Sequence, residues 1–443
     1  MKTGTIVMLI SGICAAAGAQ DGSSKPDGLL PQVQASSTSM AVAATTLSLA
    51  QVIAEVREKN PELKAAKAVS AVYKARIKQA YILKDPVIEF ERMYTPSGKN
   101  FFNDAGERNI AISQEIDNPY KLLLRKNIAK DEHVFYSALY EAKERELTAK
   151  AKSLFYEYYM ASKAEQIYNE TVDILRGFSK IAETKYSVGS ASQSDAIKAH
   201  VELSRTLNML VTVTQEKETA KAMLNALMDR DTLSVLPEPQ ELEPSHPGDD
   251  YGKLKAGALI SNPGLKAYSL KVSQAERRLT LSKAEYLPDF MLLYRKRKMP
   301  GQEISNTYDV ALGLTVPLWF SKQKAMVKEA GVEKEMAQAE YKAAQNELAS
   351  SLREADIKAR SSLRLVELYR GSVIPQAEEA LKIAQSGYQA EKADFMDLLD
   401  AQRTLLDLRM DYYRYVVDYQ TWLARVEQLT GVERSGTMPA QVQ

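Results

Sequence analysis

Apolar and small residues recur in the second half of the chain at alternating spacings of four and three, the pattern of a helix packed in a coiled coil. One series precedes Pro375 and the other follows it. The first is Leu348, Leu352, Ala355, Ala359, Ser362, Val366, Tyr369 and Val373; the second is Phe395, Leu398, Gln402, Leu405, Arg409, Tyr412, Val416, Tyr419 and Leu423. The first half has no proline between Tyr120 and Leu236. A helix over residues 121–185 would be on the order of 100 Å long. The pattern predicts a mainly helical chain with long coiled-coil helices.

Two shorter segments in each half alternate with the two-residue period of a strand. Each pair follows a proline, Pro86 or Pro288, at which a helix (47–83 or 252–286) is expected to end. The predicted strands are 87–94, 109–115, 289–297 and 307–316. In the last, one face has Val310, Leu312, Leu314 and Val316, and the other has Asp309, Ala311, Gly313 and Thr315. This alternation fits a strand between lipid and a wet lumen, and equally a half-buried strand of a soluble sheet.

The chain contains an internal two-fold repeat with one constant separation of 202 residues. Asn60-Pro61 recurs as Asn262-Pro263, and the same separation relates Pro86 to Pro288, Tyr186 to Tyr388, Asp195 to Asp397 and Leu203 to Leu405. A stretch rich in proline and acidic residues, 231–251, separates the halves and cannot continue a helix. We therefore divide the chain into a first repeat, 47–230, this connector, a second repeat, 252–432, and a C-terminal tail, 433–443.

The N-terminus has the features of an export signal. Lys2 precedes an apolar run that ends in Ala17-Gly18-Ala19, which predicts a signal peptide over 1–19 and an extended leader over 20–46. Cys14, the only cysteine, lies inside this run, so cleavage after Ala19 removes the thiol. Lipid attachment at Cys14 is the alternative, although Ile13 is large for that junction.

The balance of charge and the hydropathy of the chain argue against two features, binding to nucleic acid and a transmembrane helix. The chain has 58 Lys and Arg against 57 Asp and Glu, a balance that argues against nucleic acid. Beyond the signal no apolar run reaches about 18 residues, so a transmembrane helix is not expected. Any membrane passage must use strands. Four short strands cannot close a barrel, and an open sheet edge is not tolerated in lipid, so several chains would have to share one barrel.

Several motifs occur in an order typical of one known family. They are the duplicated Asn-Pro pairs, Pro86 and Pro288, Ile112-Ser113-Gln114-Glu115-Ile116, Pro119-Tyr120-Lys121-Leu122, Leu314-Thr315-Val316-Pro317-Leu318, Tyr186-Ser187-Val188-Gly189 and Asp397-Leu398-Leu399-Asp400-Ala401. With this order and doubling, residues 47–432 resemble the TolC family of outer-membrane efflux ducts. The first hairpin exit is most similar to the branch that serves heavy-metal and related cation pumps of the RND type.

The resemblance implies a fold and an assembly. It implies a homotrimer in the outer membrane, with four strands from each protomer in one β-barrel and long helices that continue it as an α-barrel across the periplasm. It further implies a passive exit duct that docks to a periplasmic adaptor and an inner-membrane pump. A periplasmic coiled-coil scaffold without a pore is the alternative from another class, and a type I protein-secretion duct shares the fold.

The resemblance also implies a gate at the helix tips. Asp397 and Asp400 match the acidic ring of the aperture, and their spacing of three puts both on one helix face. The family's gate network maps to Asp195, Tyr388 and, by position, Ala393. Because alanine cannot supply the family's arginine contact, Lys392 is the candidate substitute, and a looser or differently held constriction is the alternative. The alternative is that these carboxylates are solvated residues at helix starts.

No catalytic or cofactor motif stands out. The sequence lacks a phosphate-binding glycine loop, a serine nucleophile elbow and a catalytic cysteine, so we expect no enzyme and no cofactor. His133, His200 and His246 lie far apart and in no paired-ligand spacing, which argues against a metal site. The transported solute is not encoded in any motif, because in such systems the pump selects it.

Overall fold

The computed structural model describes residues 46–94, 105–243, 250–298 and 306–432, all of which belong to one unit, Ala44–Gln443. The elements are α1 (Leu49–Lys59), α2 (Pro61–Gln79), β1 (Val87–Tyr94), β2 (Ala105–Ile116), α3 (Pro119–Ser187), α4 (Gln193–Leu227), α5 (Tyr251–Ser261), α6 (Pro263–Ala284), β3 (Asp289–Lys298), β4 (Asn306–Thr315), α7 (Phe320–Leu368), α8 (Ile374–Gln389) and α9 (Phe395–Thr430). The predicted signal peptide, the leader up to residue 45, the C-terminal tail, both hairpin loops and His246 lie outside the described residues.

The element order of the first half recurs in the second, which confirms the internal repeat. In both halves two helices lead into two strands and then into a helical hairpin. The expectation of one helix ahead of each strand pair was wrong, because each is broken at its Asn-Pro pair. Proline lacks the N–H that a continuing helix needs and forces the preceding residue out of the helical conformation. The helices also end at Gln79 and Ala284, short of the prolines expected to stop them.

The two asparagines at these breaks perform the same task. Asn60 accepts a hydrogen bond from the Leu63 amide, and its Nδ2 donates to the Leu227 carbonyl at 2.9 Å. Asn262 caps the next helix in the same way, and its Nδ2 donates to the Leu429 carbonyl at 2.9 Å. Each asparagine therefore caps a helix start and ties it to the end of the hairpin of its own repeat.

The strands form one antiparallel sheet in the order β1-β2-β3-β4. All four predicted strands are present, with bounds that differ by a few residues, the largest difference being the earlier start of β2. Chain order and spatial order are the same, so β1 and β4 are the outer strands, and among the described residues each pairs on one side only.

The long helices confirm the coiled-coil prediction. α3 has 69 residues and is therefore about 100 Å long. The predicted α7 positions from Leu348 to Val366 are buried, as are Phe395, Leu398, Gln402, Leu405, Val416 and Tyr419 of α9. Between α7 and α8 the helix widens into a π turn, Tyr369–Val373, directly ahead of Pro375. Proline cannot donate to the preceding turn, and such a local change of helical pitch accommodates the missing bond.

A buried lysine joins the helices to the sheet. Lys121, in the first turn of α3, is 1% exposed, and its Nζ lies 3.0 Å from Asp289 Oδ2 and 3.2 Å from Glu285 Oε2. The Asn118 amide also donates to Asp289. These bonds tie the start of α3 to the α6–β3 junction, and the position related to Lys121 by the repeat is occupied by Gln323, which is also buried.

We predict that Lys121→Met destabilises the protein, because two carboxylates would lose the buried charge that neutralises them. The expected loss is about 3 kcal/mol of unfolding free energy, measured by chemical denaturation of the detergent-solubilised protein. Gln323→Met is the matched control, since it removes a neutral side chain at the equivalent position. Equal losses in the two variants would contradict an ionic role for Lys121.

Candidate gate at the helix tips

Both helical hairpins turn over in the same way at their tips. After α3 the chain reverses through Gly189, with φ +79°, and the Ser190 amide donates to the Lys185 carbonyl at 2.8 Å. After α8 it reverses through Glu391, with φ +61°, and the Lys392 amide donates to the Gly387 carbonyl at 2.8 Å. The two turns are related by the repeat, and the left-handed conformation that suits glycine is forced on a glutamate in the second.

An apolar cluster packs the two tips against each other. It comprises Leu175, Phe178, Ala182, Ala196, Ala199, Tyr388, Phe395, Leu398 and Leu399. The rings of Tyr388 and Phe395 lie 5.1 Å apart between centroids. Because the cluster draws residues from α3, α4, α8 and α9, movement of one tip away from the other would expose it to water.

A lysine of the first tip caps the last helix turn of the second. Lys185 Nζ donates to the carbonyls of Tyr388 and Gln389 at 2.8 and 3.2 Å. It also lies 5.0 Å from the centre of the Tyr388 ring and 3.8 Å from Glu391 Oε1. A cation at the C-terminal end of a helix satisfies free carbonyls and opposes the helix dipole.

The structure brings the proposed gate residues to the tips. Tyr388 is 5% exposed, and its hydroxyl has no hydrogen-bond partner among the described residues. Burial raises the pKa of Tyr388, and the nearby carboxylates of Asp195 and Asp394 raise it further. Asp195 is therefore close to Tyr388, although no hydrogen bond joins them. Lys392 is exposed, and its ammonium forms no ion pair within the described chain.

The two candidate aperture residues, Asp397 and Asp400, are both exposed near the start of α9. Asp397 accepts a hydrogen bond from the Asp394 amide at 3.3 Å, so it helps to cap the helix. Asp400 Oδ1 lies 3.3 Å from Arg403 Nη1. The capping bond is what the helix-start alternative requires, and it is compatible with a ring of charge, because a capping carboxylate keeps its charge.

The two described histidines, His133 and His200, lie in different parts of the helices. His200 Nε2 lies 2.8 Å from Glu183 Oε1 near the first tip, whereas His133 lies in another part of α3 with its Nδ1 buried and unpaired. Within the described residues no three His, Cys, Asp or Glu side chains come close enough to hold a metal ion. None of the described helices has an apolar stretch long enough to cross a membrane.

A sequence model of the family described as outer membrane efflux protein matches residues 52–229 and again residues 256–432. The chain belongs to the outer membrane efflux protein family. The two matches fall one in each half, in agreement with the repeat of structural elements.

Individual members of the family are distant in sequence and similar in fold. The cobalt-zinc-cadmium resistance protein CzcC of Cupriavidus metallidurans is 24% identical over 340 residues, covering 76% of this chain and 78% of CzcC. Outer membrane protein VceC of Vibrio cholerae superposes with a TM-score of 0.76 at 15% identity, covering 87% of this chain and 96% of VceC. The CmeC channel of Campylobacter jejuni superposes with a TM-score of 0.75 at 16% identity, covering 88% and 87% of the two chains.

This efflux protein has a further polar contact between its hairpins that sequence reasoning missed. Arg403 of α9 pairs with the carboxylate of Glu202 in α4, and the Glu202 side chain is only 9% exposed. The same guanidinium contacts Asp400, so one arginine connects the buried Glu202 to a candidate aperture residue. Glu202 and Arg403 lie 201 residues apart in sequence, and no local pattern marks them as partners.

The pairing changes the acidity of Glu202. The hydrogen bond from Arg403 holds the pKa of Glu202 below its usual range, against the opposing effect of burial. A carboxyl group whose pKa is lower in the folded state stabilises the fold above its unfolded pKa. That stabilisation is lost as the pH falls through the lowered folded value.

We predict that Glu202→Gln costs about 1 kcal/mol of unfolding free energy at pH 7, because a charge-assisted bond to a partly exposed arginine is lost. The difference from wild type should begin to shrink as the pH falls to about 4, where the unfolded carboxylate is protonated, and should vanish only below the lowered pKa of the folded state. Denaturation curves at several pH values measure this. Asp400→Asn, which removes a more exposed partner of the same arginine, is the control and should cost less.

Proposed function

We propose that this protein is the outer-membrane exit duct of a tripartite efflux system, a homotrimer that conducts solutes passively and catalyses no reaction. Family membership supports an efflux role. The observation that carries the proposal is the sheet, which exposes its apolar face and has two open edges. In a soluble scaffold, the apolar face of the sheet would instead be buried, for example against the protein's own helices.

The register places apolar side chains in rows on one face of the sheet. Directly paired residues share a face, so the register assembles this set: Ile88, Phe90, Ile110, Ile112, Phe290, Leu292, Tyr294, Tyr308, Val310, Leu312 and Leu314. Most of them are exposed; Val310 and Leu312 are more than 70% exposed. An apolar surface this continuous indicates contact with lipid or protein.

The opposite face has the character of a wet lumen. Asn109 donates to Glu91 at 3.0 Å, and Arg297 lies 2.6 Å from Asp309 Oδ2 and 3.9 Å from Glu107 Oε1. Charged groups on one face and apolar groups on the other, over strands of 8 to 12 residues, match the pattern and length of membrane β-strands. The alternation therefore supports the lipid-facing interpretation over the soluble sheet.

The open edges support assembly of several copies. In lipid, each unpaired backbone group at β1 and β4 would cost several kcal/mol, so β4 of one copy would pair with β1 of the next. The helices at the edges of the protomer also have exposed apolar residues. They include Val201 and Val211 on α4 and Ile383 on α8. We propose that these faces meet between neighbouring protomers, in the trimer that the family resemblance implies.

Aromatic side chains surround the junction between the sheet and the helices. Trp319 is 81% exposed, and Phe320, which stacks on Tyr286 at 6.1 Å, and Tyr120 are also exposed. Exposed Trp and Tyr typically occupy the boundary between the bilayer and water. This supports a membrane boundary at the start of α3 and α7, with the helices in the periplasm and the tips far from the membrane, where an adaptor and pump would dock.

The proposed cargo class is a cation. The similarity to CzcC, a cobalt-zinc-cadmium resistance protein, supports it, and so do the exposed carboxylates of Asp397 and Asp400 at the tip. In a trimer they would form a ring that attracts cations at the aperture.

We predict discrete channels from the detergent-purified protein in a planar bilayer, with a preference for cations that falls in Asp397→Ala plus Asp400→Ala. Glu216→Ala plus Glu218→Ala is the control, because it removes two exposed carboxylates of α4 away from the tip. Unchanged selectivity in the tip variant would contradict the acidic aperture. Full extraction of the protein without detergent would favour the scaffold, and secretion of a protein substrate would favour the type I duct.

We also propose that Asp195, Tyr388, Lys392 and Lys185 hold the tips in a closed state, with Lys185 as the main tie. Lys185→Gln is expected to raise the open probability severalfold, because the last turn of α8 loses the cation that caps its carbonyls. Single-channel recording measures this. Lys180→Gln, an exposed lysine on the same helix, should leave gating unchanged. A Lys185 variant with wild-type gating would show that the tie lies elsewhere.

A further inference from the structure

The exposed face of the sheet has a row of basic residues at the end farthest from the helices. Arg92 of β1 pairs directly with Arg108 of β2, and Arg108 pairs directly with Lys298 of β3. Lys296 lies one row closer to the helices on the same face, opposite Ile110. We call Arg92, Arg108 and Lys298 the basic row, and Lys296 lies beside it; all four side chains are exposed.

The arrangement is unfavourable without a counter-charge. Side chains directly opposite on neighbouring strands have Cβ atoms about 5 Å apart, and like charges at that distance repel each other. Arg108 has a cation on both sides. Within the described residues, Arg108, Lys296 and Lys298 form no ion pair with a carboxylate, whereas Arg297 on the opposite face contacts both Asp309 and Glu107.

The basic row lies at one border of the apolar surface. Moving along the strands from the helix end, rows containing Leu314, Leu312, Val310 and Tyr308 come first, and the basic row follows. Eight residues of strand separate the first row from the last, about 27 Å along the strand. Strands tilted by about 40° would place it about 20 Å from the helix end along the membrane normal. The apolar band of a membrane barrel is about 25 Å tall, so the basic row lies near its far border, where the lipid headgroups begin.

Aromatic residues mark the same border. The rings of Tyr294 and Tyr308 stack at 6.0 Å, and Lys296 Nζ lies 5.7 Å from the centre of the Tyr308 ring. Phe90 lies in the same row as Lys296 and Tyr308. At the boundary between acyl chains and headgroups, a membrane protein typically has aromatic residues first and cationic residues next to them.

We propose that the basic row binds the phosphate groups of an anionic lipid headgroup in the outer leaflet of the membrane. The inference rests on the proposed function, since it requires the apolar face to lie in lipid. Arginine matches phosphate with two parallel N–H donors, and lysine adds a point charge. A bound phosphate between Arg108 and Lys298 would replace their mutual repulsion with attraction.

Native mass spectrometry of the detergent-purified, full-length protein tests the proposal. Three lipids serve as probes. Lipid A has two phosphates and phosphatidylglycerol has a net negative charge, whereas phosphatidylethanolamine has a phosphate but no net charge. We expect lipid A and phosphatidylglycerol to bind in preference to phosphatidylethanolamine. Arg108→Gln should weaken lipid A binding about tenfold, as expected for the loss of a charge-assisted contact.

Two variants separate this contact from a general effect of charge or folding. Arg295→Gln removes a cation from the opposite face of β3 and should leave lipid A binding unchanged. Arg108→Glu places a carboxylate between two cations, so it should raise the thermal midpoint in lipid-free detergent and still abolish the stabilisation by lipid A. Lys298→Gln, at the side of the row, serves as the second variant if Arg108 variants do not fold.

Three outcomes would overturn the inference. They are equal binding of all three lipids, unchanged lipid A affinity in both Arg108→Gln and Lys298→Gln, and displacement of lipid A by inorganic phosphate at matching concentration, which would identify free phosphate as the ligand. Each is observable in protein that forms conducting trimers. Absence of trimers or conductance in the wild type would instead contradict the proposed function.

Discussion

Unpaired backbone groups at the edges of a sheet can be tolerated in water but not in lipid. The four strands of this protein expose apolar side chains on one face and leave β1 and β4 paired on one side only. Both features are costly for an isolated chain and become favourable together once copies join edge to edge in a bilayer. α3 and α7 begin shortly after β2 and β4, so in the proposed assembly these helices would continue the ring that the strands form.

The two repeats share a backbone plan but differ where a protomer ends. Asn60 and Asn262 make the same cap and the same tie to their hairpins. Lys121, by contrast, is held by carboxylates of the second repeat, whereas its counterpart Gln323 begins the helix that lies at an edge of the protomer. In the proposed trimer, the charged contact would lie inside one chain and the neutral glutamine near the boundary with the next.

Periodicity was sufficient to predict the elements that pack through repeated apolar contacts. The buried series of α7 and α9 and the four strands could be predicted because each uses one spacing over many residues. The break at Asn60 was missed because a helix-like pattern of apolar residues continues past Pro61, although the proline and the Asn60 cap end one helix and begin the next there. The contacts of Lys185 and Glu202 could not be predicted from spacing, since each depends on which helices lie side by side. The motif resemblance found Asp195 and Tyr388, which the structure places close together, but it could not reveal that Lys185 caps α8.

The two helical hairpins differ in whether the helix that leads from the sheet to the tip is unbroken. α3 continues from the sheet to the first tip without a break, whereas the path from β4 to the second tip crosses the π turn at residues 369–373. A continuous helix transmits a displacement as a stiff rod, and a widened turn ahead of a proline bends more easily. The first tip is therefore connected rigidly to the sheet, and the second can bend about the π turn partway along its length. In the proposed gate, one tip would be fixed and the other hinged, so the gate could open without disturbing the sheet.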